Sequence, residues 1–115
     1  MMRPRTLLAG ASIALALLMG CKGGGITTIK TLLDDPTRFD KQTVRVAGTV
    51  GKSMGVLGYG AYQIDDGTGT LTVVTNEGGA PREGAKVGVE GEFRSAFTLG
   101  TTVAAALVEK QRFTP

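Results

Sequence analysis

The sequence predicts an all-β domain, a small five-stranded barrel with a short N-terminal helix, preceded by a signal peptide that is cleaved. The first 20 residues have the pattern of an export signal, so 115 − 20 = 95 residues remain for one small core. Of the 18 glycines, all but Gly10 and Gly20 lie in those 95 residues, where most of them separate short runs of alternating apolar and polar residues. Two of these runs share the pattern V-x-V-x-G.

The N-terminus has the three parts of a secretory signal. Arg3 and Arg5 precede an uncharged apolar stretch at residues 7–18, and small residues lead from there to Gly20 and Cys21. This stretch is short for a helix that spans a bilayer, which needs about 20 apolar residues. It suits the hydrophobic region of a signal peptide better than the alternative, a transmembrane or buried N-terminal helix.

Residues 18–21, Leu-Met-Gly-Cys, resemble the lipobox of bacterial lipoproteins. The resemblance implies cleavage before Cys21 and acylation of its thiol and new amino group with fatty acids such as palmitate. The alternative for Cys21 is a free structural thiol. Lys22, where an Asp often signals retention in the inner membrane, resembles the type sorted to the outer membrane and facing the periplasm. We thus divide the chain into a signal at 1–20, the lipidated cysteine and a Gly-rich tether at 21–27, and a folded domain at 28–115.

Composition argues against several kinds of chemistry. The chain has no His and no Trp, and Cys21 is its only cysteine. These absences argue against His-dependent hydrolase triads, zinc and haem sites, and disulfides within the chain. We therefore expect no cofactor, no metal and no enzymatic activity. Once Arg3 and Arg5 leave with the signal, the 13 basic residues fall to 11 against 10 acidic ones, a net charge of +1 that attracts polyanions weakly.

The mature chain predicts one or two helical turns at residues 28–33, ended by the acidic pair and proline that follow. Hydrophobic alternation then predicts five strands. Between them we expect a loop at the glycine-rich residues 51–58, a tight Asp-Gly-Thr-Gly turn at 66–69, and a loop or frayed strand end at 94–102. The fifth strand is placed at 103–111, although residues 104–107 could equally begin a helix.

Alternation also predicts which side chains form the core. Gly48 and Gly91, in the two V-x-V-x-G runs, should face inward and let long strands bend sharply, as a small closed barrel requires; the alternative is a chance similarity between two half-buried strands. Ile64 and Val89 should be the most central core residues. The predicted core is Val44, Val46, Val50, Tyr62, Ile64, Leu71, Val73, Val87, Val89, Phe93 and Leu107.

Taken together, the short helix, the five strands, the two bends and the hairpin at residues 66–69 resemble an OB-fold. Asp35-Pro36, residues 62–69 and the second V-x-V-x-G run are similar to bacterial OB-domain families related to tRNA-anticodon-type nucleic-acid-binding domains. The resemblance covers residues 28–111, and its motifs specify turns and bends rather than a ligand. A helix often joins strands three and four in this fold, whereas here only residues 76–84 do so, which predicts a loop-bridged barrel. One OB-fold family carries haem through a histidine, a residue absent here.

The OB-fold resemblance places ligands on the outer face of strands two and three and on the flanking loops. Aromatic platforms and a basic groove bind single-stranded nucleic acid on such a face, where Asp65 and Glu92 oppose the cations here. Asp65 and Asp66 are expected to cap the turn, because neighbouring strand residues point to opposite faces and cannot act on one substrate. The candidate ligand residues are Lys52, Tyr59, Gln63, Thr72, Arg94 and Phe97.

These observations predict a lipid-anchored, non-catalytic binding or assembly module of the cell envelope. We expect it to contact another envelope protein through residues 51–58, the face with Gln63 and Thr72, or an exposed strand edge. The alternative is a nucleic-acid-binding OB domain that uses Tyr59, Phe97 and the two cations Lys52 and Arg94. Compartment and net charge disfavour that alternative.

Overall fold

The structure, a computed structural model, describes residues 25–56, 59–75 and 79–115, with the side chains of 54–56 and 59 excepted. The predicted signal peptide and the lipidation site at Cys21 lie outside the described residues. Two short helices, α1 (Ile29–Asp34) and α2 (Pro36–Phe39), precede five strands. The strands are β1 (Thr43–Val56), β2 (Tyr59–Asp65), β3 (Thr70–Thr75), β4 (Lys86–Leu99) and β5 (Thr102–Phe113). In the part of the chain so described, no helix is long and apolar enough to cross a membrane.

The five strands close into a barrel in the order β1-β2-β3-β5-β4, which confirms the predicted fold class. All pairings are antiparallel except that of β3 with β5, which is parallel and runs from Thr72↔Ala106 to Val74↔Val108. In a closed barrel, one face of every strand points into the core and the other points to the outside. Successive residues of each strand therefore alternate between core and outer surface.

The two V-x-V-x-G runs pair with each other. In the antiparallel β1–β4 ladder Val44 lies opposite Gly91, Val46 opposite Val89, and Gly48 opposite Val87. Val46 and Val89 are completely buried at the centre of this ladder. The repeated pattern is therefore one structural unit, two strands that each place a glycine opposite the first valine of the other.

Each of these glycines lies where the backbone of a further strand approaches closely. A Cβ atom at Gly48 would lie 2.8 Å from the carbonyl carbon of Asp65, and one at Gly91 would lie 2.9 Å from that of Val108. The prediction that both positions require glycine is therefore supported. At Gly91 the obstacle is the backbone of the adjacent strand β5, beside a bulge in the β4–β5 ladder.

The core agrees with the prediction except at Val87, which is half-buried and packs against the core from its margin. Ile64 and Val89 are fully buried, as expected. The prediction omitted Ile29 and Leu32, which α1 contributes to the same hydrophobic cluster. The helix thus supplies part of the core that a five-stranded sheet leaves uncovered.

The structure corrects two expectations about segments and confirms that the fifth strand includes residues 104–107. Residues 51–56 continue β1 after an irregularity between Val50 and Ser53, and residues 94–99 continue β4 to a two-residue turn before β5. The first was expected to be a loop and the second a loop or a frayed strand end, because glycine and small polar residues weaken a strand in isolation. Here the facing strands β2 and β5 provide hydrogen-bond partners for them. Residues 104–107 form strand, not the start of a helix.

The two ends of β3 are closed in different ways. At the start of β3, α1 packs on the β2–β3 turn, and we call this region the helix end. At the end of β3, residues 79–85 lead to β4 without a helix, as the sequence predicts for its described part, and we call this region the connection end. This segment is tied to β1 by backbone hydrogen bonds from Gly84 to Val50 and from Val50 to Ala85, each 2.8 Å long.

Candidate functional site

Three of the candidate ligand residues share one row across the outside of the barrel. Gln63 on β2 lies opposite Thr72 on β3, Thr72 lies opposite Ala106 on β5, and Ala106 lies opposite Arg94 on β4. Gln63 and Thr72 point outward and are half-buried, whereas Tyr62, Ile64 and Val73 fill the interior. We call this Gln63–Thr72–Ala106–Arg94 series the outer row.

The other candidates flank the outer row on the two long hairpins. Lys52 is exposed on β1, within the irregular segment that faces β2 near Gln63. Phe97 is half-buried on β4, opposite Ala104 of β5 and beyond a second irregularity in that ladder. Tyr59 begins β2 and pairs with Val56, but its side chain is not among the described ones. Phe97 is therefore the described aromatic side chain of the candidate face.

Next to the outer row, small aliphatic side chains are buried. Ala61 and Val74, which are opposite each other on β2 and β3, are buried although alternation points them outward, and so is Ala106. Beside these buried side chains, Gln63 and Thr72 remain partly exposed polar groups.

The charges of this face are balanced. Arg94 Nε lies 3.3 Å from Glu92 Oε1, and both side chains remain partly exposed. Asp65 is exposed and accepts a hydrogen bond of 2.8 Å from the backbone N–H of Gly67. Arg94 therefore has an acidic partner on its own strand, and the acidic Asp65 lies on the same strand as Gln63. The described face lacks the continuous basic groove that tracks a nucleic-acid backbone.

Asp66 has a structural role at the helix end. Its Oδ2 accepts from the backbone N–H of Ile29 at 2.9 Å, and its Oδ1 accepts from the N–H groups of Thr68 and Gly69 and from the Thr68 hydroxyl. Burial raises the pKa of the Asp66 carboxyl, but these hydrogen bonds outweigh it and hold the pKa below its usual value. The carboxylate caps the turn, as the sequence predicts, and also joins the turn to the first residue of α1.

Sequence reasoning missed a polar cluster at the connection end. The hydroxyl of the fully buried Tyr62 donates to Glu109 Oε1 at 2.5 Å, and Arg112 Nε lies 3.0 Å from Glu109 Oε2. Thr75 Oγ1 donates to Glu109 Oε2 at 3.4 Å, and Arg112 Nη2 donates to the carbonyl of Gly79. We call Tyr62, Thr75, Glu109 and Arg112 the polar cluster.

Burial, together with the hydrogen bond to the Glu109 carboxylate, raises the pKa of Tyr62. The side chain of Glu109 is only 9% exposed and that of Arg112 is 32% exposed. A signal for this cluster was present in the sequence, because Glu109 stands two positions after the core residue Leu107 and alternation therefore turns it inward. The cluster links β2, β3 and β5, and its position inside the barrel indicates a role in closing that end rather than in contacting a ligand.

Two further features concern possible small ligands. An open cleft of about 630 Å³ lies where β1 passes from β4 to β2, and its charged side chains are those of Asp65, Asp66 and Lys86. Among the described residues, no group of three or more His, Cys, Asp or Glu side chains is arranged to hold a metal ion. The described candidate residues therefore converge on the outer row and not on this cleft.

No protein-family profile matches the sequence, and a search of curated proteins finds no match. Solved structures do resemble the chain. Asparaginyl-tRNA synthetase from Pyrococcus horikoshii aligns with a TM-score of 0.62 and 21% identity over 76% of this chain and 22% of that chain. A putative aspartyl-tRNA synthetase from Leishmania major aligns with a TM-score of 0.62 and 17% identity over 81% of this chain and 21% of that chain.

A third similar structure is an OBody, AM3L09, bound to hen egg-white lysozyme, with a TM-score of 0.53 and 14% identity over 66% of this chain and 83% of that one. The chain spans about a fifth of the two synthetases and most of the OBody. These similarities establish that the barrel is an OB-fold. Fold alone does not establish a ligand.

Proposed function

We propose that the chain is a lipid-anchored, non-catalytic OB-fold binding module of the bacterial cell envelope. Its ligand surface would be the outer row together with the β1–β2 and β4–β5 hairpins that flank it. The observation that supports this most directly is the register that carries Gln63, Thr72 and Arg94 across three strands into one row. The lipid anchor rests on the resemblance of residues 18–21 to a lipobox and on Cys21 as the acylated residue.

A protein partner fits the chemistry of this surface. The outer row offers an amide and a hydroxyl beside buried aliphatic groups, and its cation Arg94 has an acidic neighbour in Glu92. Charged residues are depleted at the core of protein interfaces, and the cation of the outer row, Arg94, is paired with Glu92. The similar OBody is bound to a protein, lysozyme, which supports a protein as the partner of a barrel of this shape.

Nucleic acid is the second candidate ligand, and the comparisons favour it over the first. Two of the similar structures are tRNA synthetases, which this chain resembles over about a fifth of their length. Here Lys52 and Arg94 would contact phosphates, and Phe97 and Tyr59 would stack on bases, each stacked base contributing about 1–3 kcal/mol. The acidic neighbours Asp65 and Glu92 are the features that weigh against it.

Site-directed photo-cross-linking in the native envelope tests the protein-binding proposal. A photoreactive residue at Gln63 should cross-link to a discrete partner, whereas the same residue at Gln111, an exposed glutamine on β5, should not. Equal cross-linking from both positions would contradict the outer row as the binding surface.

An oligonucleotide titration tests the second candidate. The acylated full-length protein in detergent would be titrated with labelled single-stranded DNA and RNA at two salt concentrations. Binding that weakens steeply with salt, and that Lys52→Ala and Arg94→Ala reduce while Lys110→Ala does not, would establish nucleic acid as the ligand. Weak binding that none of these three substitutions changes would exclude it for this face.

A further inference from the structure

Three large hydrophobic side chains remain exposed in the described part of the chain. They are Ile26, which is 49% exposed, Leu33, which is 39% exposed, and Val103, which is 62% exposed. Single exposed apolar side chains are common on soluble proteins and need no explanation. Their positions in this fold are informative, because residues far apart in sequence meet at the same end of the barrel.

Ile26 and Leu33 belong to the helix end. Ile26 stands two residues before Thr28, the N-cap of α1, and Leu33 lies in the last turn of that helix. The helix is held on the β2–β3 turn by Asp66, and Leu33 Cδ1 lies 3.8 Å from the position that a Cβ would take on Gly69 of that turn.

Val103 projects toward the same end. Because β5 runs parallel to β3 with Thr72 opposite Ala106, the residues of β5 before 106 extend toward the β2–β3 turn. The helices also contact the base of the β4–β5 hairpin directly. Asp40, which follows α2, accepts a hydrogen bond of 2.8 Å from the backbone N–H of Ser95 on β4. The hairpin and the helices therefore form one continuous end of the domain.

This end carries little net charge. Residues 95–108, which form the β4–β5 hairpin, contain no charged side chain. Residues 26–41 contain three basic and three acidic side chains, and the pair Lys30–Asp34 is in contact at 2.5 Å. Exposed aliphatic groups and balanced charge suit this end for contact with a surface whose apolar interior lies beneath a polar layer. Such binding would depend little on the salt concentration.

The tether identifies that surface. Five residue steps separate Cys21 from Ile26, and they span at most about 18 Å when fully extended. We propose that the helix end rests on the lipid bilayer, with Ile26, Leu33 and Val103 entering the interfacial layer beside the acyl anchor. This inference rests on the proposed acylation of Cys21. A single lipid attachment leaves a domain free to tumble, whereas three additional apolar contacts would fix one orientation.

The orientation has a consequence for ligand binding. β2 begins at Tyr59 and ends at Asp65 beside the helix end, so the β1–β2 hairpin points away from the bilayer. The connection end, with residues 79–85, also lies away from it. A partner in the aqueous compartment would therefore approach the outer row from the side of Lys52 and the β1–β2 hairpin, and the tip of the β4–β5 hairpin would contact the bilayer instead of that partner.

The chain contains no tryptophan, which allows a single introduced tryptophan to report on one position. Full-length, acylated Leu33→Trp and Val103→Trp would be placed in vesicles of phosphatidylethanolamine and phosphatidylglycerol that contain brominated lipids. Glu83→Trp, at an exposed position of the connection end, is the matched control. Mass spectrometry of each purified variant would establish acylation separately.

We expect lipid bromines to quench the fluorescence of Leu33→Trp and Val103→Trp several-fold more strongly than that of Glu83→Trp, with the emission of the first two variants shifted to the blue. Equal, weak quenching of all three variants in acylated form would overturn the orientation and leave the anchor in place. Strong quenching of Glu83→Trp, or of only one of the two helix-end variants, would also overturn it. Protein that is not acylated and stays off the vesicles would overturn both the orientation and the proposed anchor.

Discussion

The helix end and the connection end of the barrel are closed by different kinds of side chain. At the helix end Ile29 and Leu32, both fully buried, complete the hydrophobic cluster. At the connection end, Tyr62 and Glu109 place a hydroxyl and a carboxylate inside the barrel, and Arg112 approaches from its rim. Apolar closure depends on shape and area, whereas polar closure depends on every partner being present.

This difference has energetic consequences. Removing apolar atoms loses contacts in proportion to the cavity that remains. Removing one member of a buried hydrogen-bonded group leaves the remaining polar atoms without a hydrogen-bond partner. This lowers the free energy of unfolding by more than the hydrogen bond itself contributes. We therefore expect the helix end to respond to side-chain volume and the connection end to respond to protonation and charge.

The largest effect is expected at the helix end. Leu32→Ala should lower the free energy of unfolding by about 2–5 kcal/mol, because it leaves a cavity between α1 and the barrel. Leu33→Ala on the same helix is the control and should change it by about 0.5 kcal/mol or less, since Leu33 is partly exposed. Urea denaturation would measure both. Equal effects of the two substitutions would mean that α1 does not close the barrel.

At the connection end, Glu109→Ala should lower the free energy of unfolding by about 2–4 kcal/mol, between the values for exposed and fully buried ion pairs. The loss arises because the Tyr62 hydroxyl and the Arg112 guanidinium lose their common acceptor. Glu90→Ala, which removes a half-buried glutamate paired with Arg45 on the outside of the barrel, is the control and should have a smaller effect. A larger loss from Glu90→Ala would contradict the importance of the polar cluster.

Most of the sheet could be predicted because its signal is local. Tyr62 and Ile64, and likewise Leu71 and Val73, alternate with polar residues and are buried as that alternation requires. The turn at 66–69 follows from the preference of Asp and Gly for such positions. By contrast, residues 51–56 and 94–99 become strand only because β2 and β5 lie beside them, and a sequence does not display the partner of a strand.

The candidate site could be predicted only in part, because alternation is a local signal and the register between strands is not. The positions of Gln63 and Thr72 on the outer face follow from alternation, but their common row with Arg94 depends on the parallel register of β3 and β5. Glu109 was overlooked because a charged residue is expected at the surface, although its spacing from Leu107 indicated the interior. The role of Asp66 as a partner of α1 depends on a contact across 37 positions of sequence.

The tyrosine hydroxyl gives the connection end a dependence on alkaline pH. Tyr62→Phe should lower the free energy of unfolding near neutral pH by about 1.5–3 kcal/mol, the range for hydrogen bonds to charged groups. Because the folded state raises the pKa of Tyr62, this stabilisation is present below about pH 10, the unfolded value, and is lost as the pH rises above it. Tyr59→Phe, at the other tyrosine, is the control. Denaturation at pH 7 and pH 11 would measure the difference, and a Tyr62→Phe effect that is the same at both would contradict it.

The smallest effect on the free energy of unfolding is expected from substitution of Asp66, and this effect changes at acidic rather than alkaline pH. Asp66→Asn keeps one acceptor oxygen for Thr68 and Gly69 but turns an N–H group toward the Ile29 N–H, so one hydrogen bond to α1 is lost, a cost of about 0.5–1.5 kcal/mol. Since the folded state lowers the pKa of Asp66, the wild-type stabilisation is present above about pH 4, the unfolded value, and is lost as the pH falls below it.

Asp65→Asn is the matched control for this position, because Asp65 is exposed and its described side-chain hydrogen bond stays within the turn, to the N–H of Gly67. Thermal denaturation of the three proteins at pH 3 and pH 7 should show that Asp66→Asn differs from the wild type at pH 7 and approaches it at pH 3. Asp65→Asn should follow the wild type at both. If Asp66→Asn were as stable as the wild type at both pH values, the Asp66 carboxylate would not stabilise the attachment of α1, and apolar packing of Ile29 and Leu32 would hold the helix end without it.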